Sequence, residues 1–209
     1  MATANPPPAP GAPPPRRPPV FNLPNQLTAS RFVLALVLFV LIEFQVWLGC
    51  LGVFVVAAFT DWLDGYLARR QGLVSTLGRN LDPLVDKVLV CGAYIFLLPY
   101  GNEKWLWPWM VTVVVARELV ITGLRSFMET YGAKFGADWL GKIKMVLQCA
   151  ALIAIFVALH AEAQKSPQLQ TLAQARDVCL YAMLVFTVLS GVQYLWRAAA
   201  LLKSENYTP

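Results

Sequence analysis

Apolar residues fall into six long segments along the chain, separated by short polar connections. The segments cover roughly residues 30–45, 47–70, 80–100, 105–129, 138–160 and 174–202. Each approaches or exceeds the ~20 residues that an α-helix needs to cross the hydrocarbon core of a bilayer, and the first is the shortest. The pattern therefore predicts an all-α integral membrane protein with six transmembrane helices.

The residues before the first apolar segment follow a different pattern. Residues 6–19 contain nine prolines and two arginines, a composition that excludes regular helix and predicts a disordered tail over residues 1–21. Residues 22–31, NLPNQLTASR, mix capping residues, an early proline and spaced apolar side chains. They predict a short amphipathic helix at the membrane surface, although a simple helix start fits them equally well. We expect a single membrane domain over residues 22–209.

Composition supports this class. Hydrophobic residues make up 57% of the 209 positions and charged residues only 14%, as in polytopic membrane proteins. The net charge of +5 does not predict a nucleic-acid partner, because the basic residues are spread among apolar helices. With a cytoplasmic N-terminus, only Lys104, Lys165 and Arg176 of the 17 lysines and arginines fall on the outer side. This bias predicts that both termini are cytoplasmic.

Cysteine and histidine chemistry is not indicated. The four cysteines, Cys50, Cys91, Cys149 and Cys179, lie singly in different apolar segments, which predicts reduced core residues. The one histidine, His160, lies at a helix end. None of these residues has the spacing of a metal site.

Four aspartates lie among the apolar segments, where isolated charges are costly and need compensation. Asp61 and Asp64 are spaced i, i+3, and Asp82 and Asp86 are spaced i, i+4, so within helices each pair points to one side. Oxygen ligands without cysteine or histidine suit Mg²⁺ or Mn²⁺, and such a site handles phosphates. The alternative is a salt-bridge network of the aspartates with nearby basic residues, namely Arg69, Arg70, Arg79 and Lys87. Burying so many charges would add little to stability, because the cost of removing them from water offsets the gain from pairing. The metal site is therefore favoured.

Two more groups of charged residues lie in apolar segments. On the fourth, Glu118, Thr122 and Arg125 form one polar stripe, with Arg117 beside it. On the fifth, Lys142 and Lys144 lie near the helix N-terminus, where their charge opposes the helix dipole. Lys142 can simply extend to the cytoplasmic surface. Arg117 lies deeper, and we expect an anionic ligand, such as an acceptor that carries its own phosphate.

The aspartates also belong to a longer motif. Residues 61–86 read D-x-x-D-G-x-x-A-R, eight further residues, then G-x-x-x-D-x-x-x-D. Eight fixed positions in 26 residues resemble the signature of the CDP-alcohol phosphatidyltransferases. NLPNQLTASR, ARELVITGLRSFMETYG and DWLGKIKMVLQ resemble the bacterial phosphatidylglycerophosphate synthases of that family, so the likeness covers most of residues 22–160. The chain departs from that pattern in its Pro-rich tail and at Met145, where a threonine is usual.

The resemblance implies a reaction and a site. CDP-diacylglycerol would donate a phosphatidyl group to glycerol 3-phosphate without a covalent intermediate, giving phosphatidylglycerophosphate and CMP. The resemblance implies two divalent cations held by the four aspartates, with Asp86 as general base. It assigns these residues to CDP: Asn25, Thr28, Arg31, Asp61, Asp64, Gly65, Ala68, Arg69 and Gly78. The candidates for the acceptor phosphate are Arg117, Arg125, Lys142 and Lys144.

The resemblance further implies a multi-pass homodimer in the bacterial cytoplasmic membrane, with its active site facing the cytoplasm and membrane lipid around it. Three alternative acceptors stay open: serine, inositol phosphate, and phosphatidylglycerol, the last giving a cardiolipin synthase. Intramembrane prenyltransferases have aspartate-rich motifs on two separate loops, which the single compact motif disfavours. A divalent-cation transporter would hold carboxylates near the midplane on broken helices, whereas these lie near the basic helix ends.

Overall fold

The computed structural model describes residues 23–71, 76–101, 104–130 and 139–203, with side chains for 29–60, 85, 87–101, 104–128 and 139–200. Within these ranges the chain forms six helices and no strand, which confirms the all-α class. The helices are α1 (Leu23–Glu43), α2 (Trp47–Gln71), α3 (Thr76–Gly101), α4 (Pro108–Thr130), α5 (Trp139–Ala163) and α6 (Leu169–Lys203). The predicted tail, residues 1–21, lies outside the described residues.

The N-terminal helix α1 corrects one prediction. It is a single helix from Leu23 to Glu43, so the prediction of a separate surface helix is wrong and the simple helix start is right. Pro24 lies in the first turn, where a missing N–H costs no helical hydrogen bond. No proline or glycine follows up to Glu43, so nothing in the sequence breaks the helix.

Helix α3 begins earlier than predicted. It starts at Thr76 instead of near residue 80, so Gly78–Leu81 are helical and Pro83 lies inside the helix. A proline there removes the N–H that would bind the carbonyl of Arg79. Asp82 and Asp86 therefore lie one turn apart on the same helix, as the spacing predicts.

Two tight turns pair neighbouring helices. Gln45 after α1 and Lys165 after α5 adopt left-handed backbone conformations, with φ of 57° and 49°. At each turn the following N–H bonds back to a carbonyl five residues earlier: Val46 to Leu41 and Ser166 to Ala161, both at 2.9 Å. This is the Schellman arrangement that ends many helices. It turns the chain sharply, and α5 and α6 then pack along each other.

The helices pack as one group around an apolar interior. Helix α1 contacts α2 and α3, α2 contacts α5, and α4 contacts α3 and α6. The Phe54 and Phe156 rings, 6.1 Å apart between centroids, join α2 to α5. Between α1 and α3, Phe39 stacks on Phe96 at 4.8 Å and lies so close to Gly92 that any added Cβ would overlap its ring.

Aromatic contacts join neighbouring elements at the end of the bundle that the distribution of basic residues predicts to lie on the non-cytoplasmic side. Trp47 meets Tyr100 edge to face at 4.9 Å between ring centroids. Arg176 lies 4.3 Å from the centroid of Trp105 and pairs with Asp177 at 2.9 Å. The Arg176–Trp105 contact holds the first turns of α6 against the connection between α3 and α4. A stacked guanidinium keeps its charge while its face is covered.

Two of the described helices are long and apolar enough to cross a membrane: residues Trp139–Ala163 and Leu169–Ala200. Shorter apolar helical stretches among the described side chains are Trp47–Thr60 in α2 and Lys87–Gly101 in α3. The predicted count of six spans is therefore not confirmed.

Large apolar side chains also cover much of the outer surface. The most exposed include Phe44, Trp139, Val146, Val178 and Trp196, each at least 69% exposed. An apolar surface of this kind marks contact with lipid or with another protein.

Candidate active site

The backbone places the aspartate motif on two helices that follow each other in the chain. Asp61 and Asp64 lie one turn apart in the second half of α2, and Asp82 and Asp86 lie one turn apart in the first half of α3. Their side chains are outside the described part of the chain. The donor set is entirely carboxylate oxygen, which suits Mg²⁺ or Mn²⁺ better than zinc. Among the side chains that are described, no three that could bind a metal come together.

Most of the residues assigned to CDP are placed by backbone alone. Asn25 and Thr28 lie in the first turns of α1, and the rest lie on α2 and α3, again without described side chains. The described member is Arg31, which is only 3% exposed. The sequence predicts Arg31 on a separate surface helix, whereas the structure buries it within the continuous helix α1.

The most informative described feature is a group of buried charges between α4 and α5. We call Arg117, Glu118 and Lys144 the Glu118 cluster. The Lys144 ammonium donates a hydrogen bond to Glu118 Oε1, and Arg117 donates to the same oxygen from one terminal nitrogen at 3.2 Å. The three side chains are 5%, 9% and 12% exposed for Lys144, Glu118 and Arg117. Two residues predicted to bind the acceptor phosphate thus share one carboxylate.

The charges of the cluster do not balance. Among the described side chains, two cations face one carboxylate, so the cluster has one excess positive charge in a site that water reaches poorly. An uncompensated charge in such surroundings is costly, and a bound anion relieves the cost. The arrangement is therefore suited to an anionic ligand.

The cluster lies beside the part of α3 that carries the motif. Lys87 is close enough to Lys144 for their charges to repel, and Cys91 lies within electrostatic range of Lys87, Glu118 and Lys144. Lys87 directly follows Asp86 in the chain. The backbone thus brings the cluster near the turn of α3 that holds the predicted base.

One turn further along α5, Gln148 continues the buried polar face. Gln148 is 4% exposed, and its backbone carbonyl accepts a hydrogen bond from the fully buried Tyr94 hydroxyl at 3.2 Å. Its side-chain amide nitrogen has no hydrogen-bond partner among the described residues. The Tyr94–Gln148 hydrogen bond joins α3 to α5 one helical turn beyond Lys144 of the Glu118 cluster.

The other two predicted acceptor residues are not part of this buried group. Lys142 and Arg125 are both exposed. Met145, the departure from the usual threonine, is 54% exposed, so the substitution lies away from the buried face of α5. Of the four predicted residues, the structure brings Arg117 and Lys144 together.

Sequence analysis did not identify two residues of the site. Glu118 belongs to the predicted polar stripe, and the structure adds it to the site because it accepts hydrogen bonds from both cations. Ser190, on α6, accepts a hydrogen bond from Arg117 at 3.0 Å and is fully buried. The sequence feature that indicates Ser190 is a pair of hydroxyl residues three positions apart, Thr187 and Ser190, in an otherwise apolar helix.

Comparisons with known proteins all indicate the same family. The family model for CDP-alcohol phosphatidyltransferases matches residues 21–201. A Bacillus subtilis protein is 35% identical over 203 residues, covering 90% of this chain and all of the relative. Relatives from Pectobacterium atrosepticum and Sodalis glossinidius are 39% and 33% identical over 142 and 183 residues. These alignments cover 65% and 85% of this chain, and 76% and 94% of the relatives.

All three relatives are named CDP-diacylglycerol–glycerol-3-phosphate 3-phosphatidyltransferase. The family match extends over most of the chain and the Bacillus alignment over nine-tenths of it, so the resemblance carried by the aspartate motif is confirmed. The chain belongs to the CDP-alcohol phosphatidyltransferase family.

Proposed function

We propose that this protein transfers the phosphatidyl group of CDP-diacylglycerol to a hydroxyl of glycerol 3-phosphate, giving phosphatidylglycerophosphate and CMP in phospholipid biosynthesis. The names of the relatives support both substrates. The structural observation that carries the proposal is the excess positive charge that the described side chains of the Glu118 cluster place beside α3. Among the acceptors considered, glycerol 3-phosphate is small and brings a dianionic phosphate to that charge.

Arg117 and Lys144 would bind this phosphate. A guanidinium has five N–H groups, and within the described part of the chain Arg117 uses one for Glu118 and one for Ser190, so three have no partner there. Charge-assisted hydrogen bonds from such groups are stronger than neutral ones. With the phosphate held, the reacting hydroxyl is confined near α3, which replaces a bimolecular encounter by a positioned one. Lys142 and Arg125 then serve as surface charges.

The aspartates of α2 and α3 would provide the reacting centre. Asp86 would accept the proton of the acceptor hydroxyl as general base, since it directly precedes Lys87 near the cluster. Asp61, Asp64, Asp82 and Asp86 would hold two divalent cations, Mg²⁺ or Mn²⁺, whose charge would stabilise the pyrophosphate and the departing CMP. Gly65, Ala68, Gly78, Arg69, Arg31, Asn25 and Thr28 would line the CDP moiety.

The proposal predicts a strong acceptor preference. With labelled CDP-diacylglycerol in detergent, glycerol 3-phosphate should support rapid, metal-dependent CMP release, while plain glycerol and serine should be poor acceptors. They lack the phosphate and would leave buried cations unpaired, which costs a site much of its affinity. Efficient competition by serine or free inositol would overturn the acceptor assignment. Absence of any CMP release would favour a transport role instead.

The proposal also predicts topology. We place residues 22–209 in the bacterial cytoplasmic membrane as a multi-pass domain whose six helices all cross, with active site and termini on the cytoplasmic side. The basic bias and the even helix number support this orientation. A reporter fused after Pro209 that is active only in the cytoplasm should give a strong signal. Activity of the complementary reporter, which works only outside the membrane, would contradict the helix count or the orientation.

A homodimer is proposed for the assembled enzyme, with membrane lipid covering the rest of the apolar surface. The exposed apolar side chains of α5 and α6, Trp139 and Trp196 among them, supply area for both kinds of contact.

A further inference from the structure

Helix α6 reaches the proposed acceptor site through a serine. Ser190 is fully buried and its Oγ accepts a hydrogen bond from a terminal nitrogen of Arg117 at 3.0 Å. The serine donates its own proton to the backbone carbonyl of Thr187 at 3.0 Å. Because a hydroxyl has one proton, this bond leaves the oxygen to act only as an acceptor toward Arg117. The hydroxyl is therefore fixed in the orientation that receives the guanidinium.

Arg117 is held from two helices at once. One terminal nitrogen donates to Glu118 on its own helix and the other to Ser190 on α6. The stem of Arg117 also runs past Gly191, where an added Cβ would lie 3.4 Å from its Cγ. A guanidinium with both ends engaged has few alternative rotamers, which sets the direction of its remaining N–H groups.

The chemical identity of the second acceptor matters. A carboxylate in the position of Ser190 would cancel the positive charge that makes the Glu118 cluster attractive to an anion. A hydroxyl orients the guanidinium and leaves that charge intact. Ser190 therefore combines orientation with an unchanged net charge of the site.

We propose that Ser190 is a positioning residue for acceptor binding: it holds Arg117 in the orientation that receives the phosphate of the acceptor. The inference rests on the proposed function, because it assumes that Arg117 binds that phosphate. Ser190 itself contacts no substrate in this proposal. Its effect should therefore appear in acceptor binding and should require Arg117.

The test measures the kinetics of Ser190→Ala. The KM for glycerol 3-phosphate should rise by about 10-fold, the lower end for loss of a hydrogen bond to a charged group, since the effect is indirect. The KM for CDP-diacylglycerol and kcat should stay near those of the unmodified enzyme. Thr112→Ala is a matched control, because the Thr112 hydroxyl also bonds back to a helix carbonyl, that of Pro108, but is exposed. It should leave both KM values unchanged.

A double-mutant cycle tests the route of the effect. Ser190→Ala should add almost nothing in an Arg117→Gln background, because residues that act through one contact are not additive. An equal rise of the acceptor KM in both backgrounds would overturn the inference. So would a fall in kcat with the acceptor KM unchanged, which would indicate a merely structural role.

Two further outcomes separate the hypotheses. If the unmodified enzyme does not use glycerol 3-phosphate, the proposed function fails. If it does, and Arg117→Gln raises the acceptor KM while Ser190→Ala does not, only the role of Ser190 fails. Should Ser190→Ala not accumulate as folded protein, Ser190→Cys keeps the shape with a weakly accepting sulfur and should show the same rise in acceptor KM. An unchanged KM in Ser190→Cys would contradict the inference.

Discussion

Replacing Asp82 with asparagine is expected to abolish phosphatidyl transfer, and Asp61→Asn should do the same. Each substitution keeps the size of the side chain but removes one of the four carboxylate charges of the motif. Loss of a metal ligand or of a general base each typically costs ~10²-fold or more, so we expect a loss of several orders of magnitude. CMP release from labelled CDP-diacylglycerol, followed across a Mg²⁺ and a Mn²⁺ titration, measures both the rate and the metal requirement.

The matched control is Glu43→Gln. Glu43 is an exposed acid at the end of α1, outside the motif, and its backbone carbonyl accepts the Tyr100 hydroxyl at 3.3 Å, a contact that the substitution leaves intact. Its activity should stay close to that of the unmodified enzyme. Asp86→Asn tests the proposed base separately: near-normal turnover in that variant would rule out this role, even if the other three aspartates prove essential.

The helices could largely be predicted from hydrophobicity, with errors at their starts. The predicted ranges 47–70 and 138–160 agree closely with α2 and α5. Helix α6 begins at Leu169 instead of residue 174, and α3 at Thr76 instead of residue 80. The residues added to α6, LQTLA, are mostly good helix formers, and the polar Gln174, Arg176 and Asp177 separate them from the main apolar segment. Apolar segments thus mark the buried or lipid-facing part of each helix, and the helix itself extends further.

The candidate site could also be predicted only in part. The aspartate motif and the cations Arg117 and Lys144 could be recognised because charges in apolar helices need partners. Their partners could not be assigned, since Glu118 and Lys144 are 26 residues apart and Arg117 and Ser190 are 73 apart. Which of them meet depends on how α4, α5 and α6 pack, and local spacing carries no information about that packing.

Helix geometry alone distinguishes Lys142 from Lys144. Lys142 and Lys144 are two residues apart, about 200° around a helix, so they face different sides. Only one of them can belong to a buried face, and the structure buries Lys144 and exposes Lys142. Gln148, one turn after Lys144, lies on the same face and is buried as well.

Lys144→Met should therefore raise the KM for glycerol 3-phosphate strongly while Lys142→Met should not. Removing the buried ammonium lowers the net charge of the Glu118 cluster by one and deletes a charge-assisted hydrogen bond to the acceptor phosphate, worth ~1.5–3 kcal/mol. At 1.4 kcal/mol per decade this is a rise of roughly 10- to 150-fold. The KM for CDP-diacylglycerol should change little. Glu118 keeps Arg117 as its partner in this variant, so the buried carboxylate is not left alone.

Lys142 provides a control of the same residue type on the same helix. Its exposed ammonium is screened by salt, so Lys142→Met should leave the acceptor KM nearly unchanged at 0.15 M salt, where the screening length is about 8 Å. Steady-state kinetics of both variants against each substrate measure the difference. If both raise the acceptor KM equally, and added salt removes the effect, the cations act through the surface potential. The Glu118 cluster would then not be the phosphate site, because a buried contact is screened far less than an exposed charge.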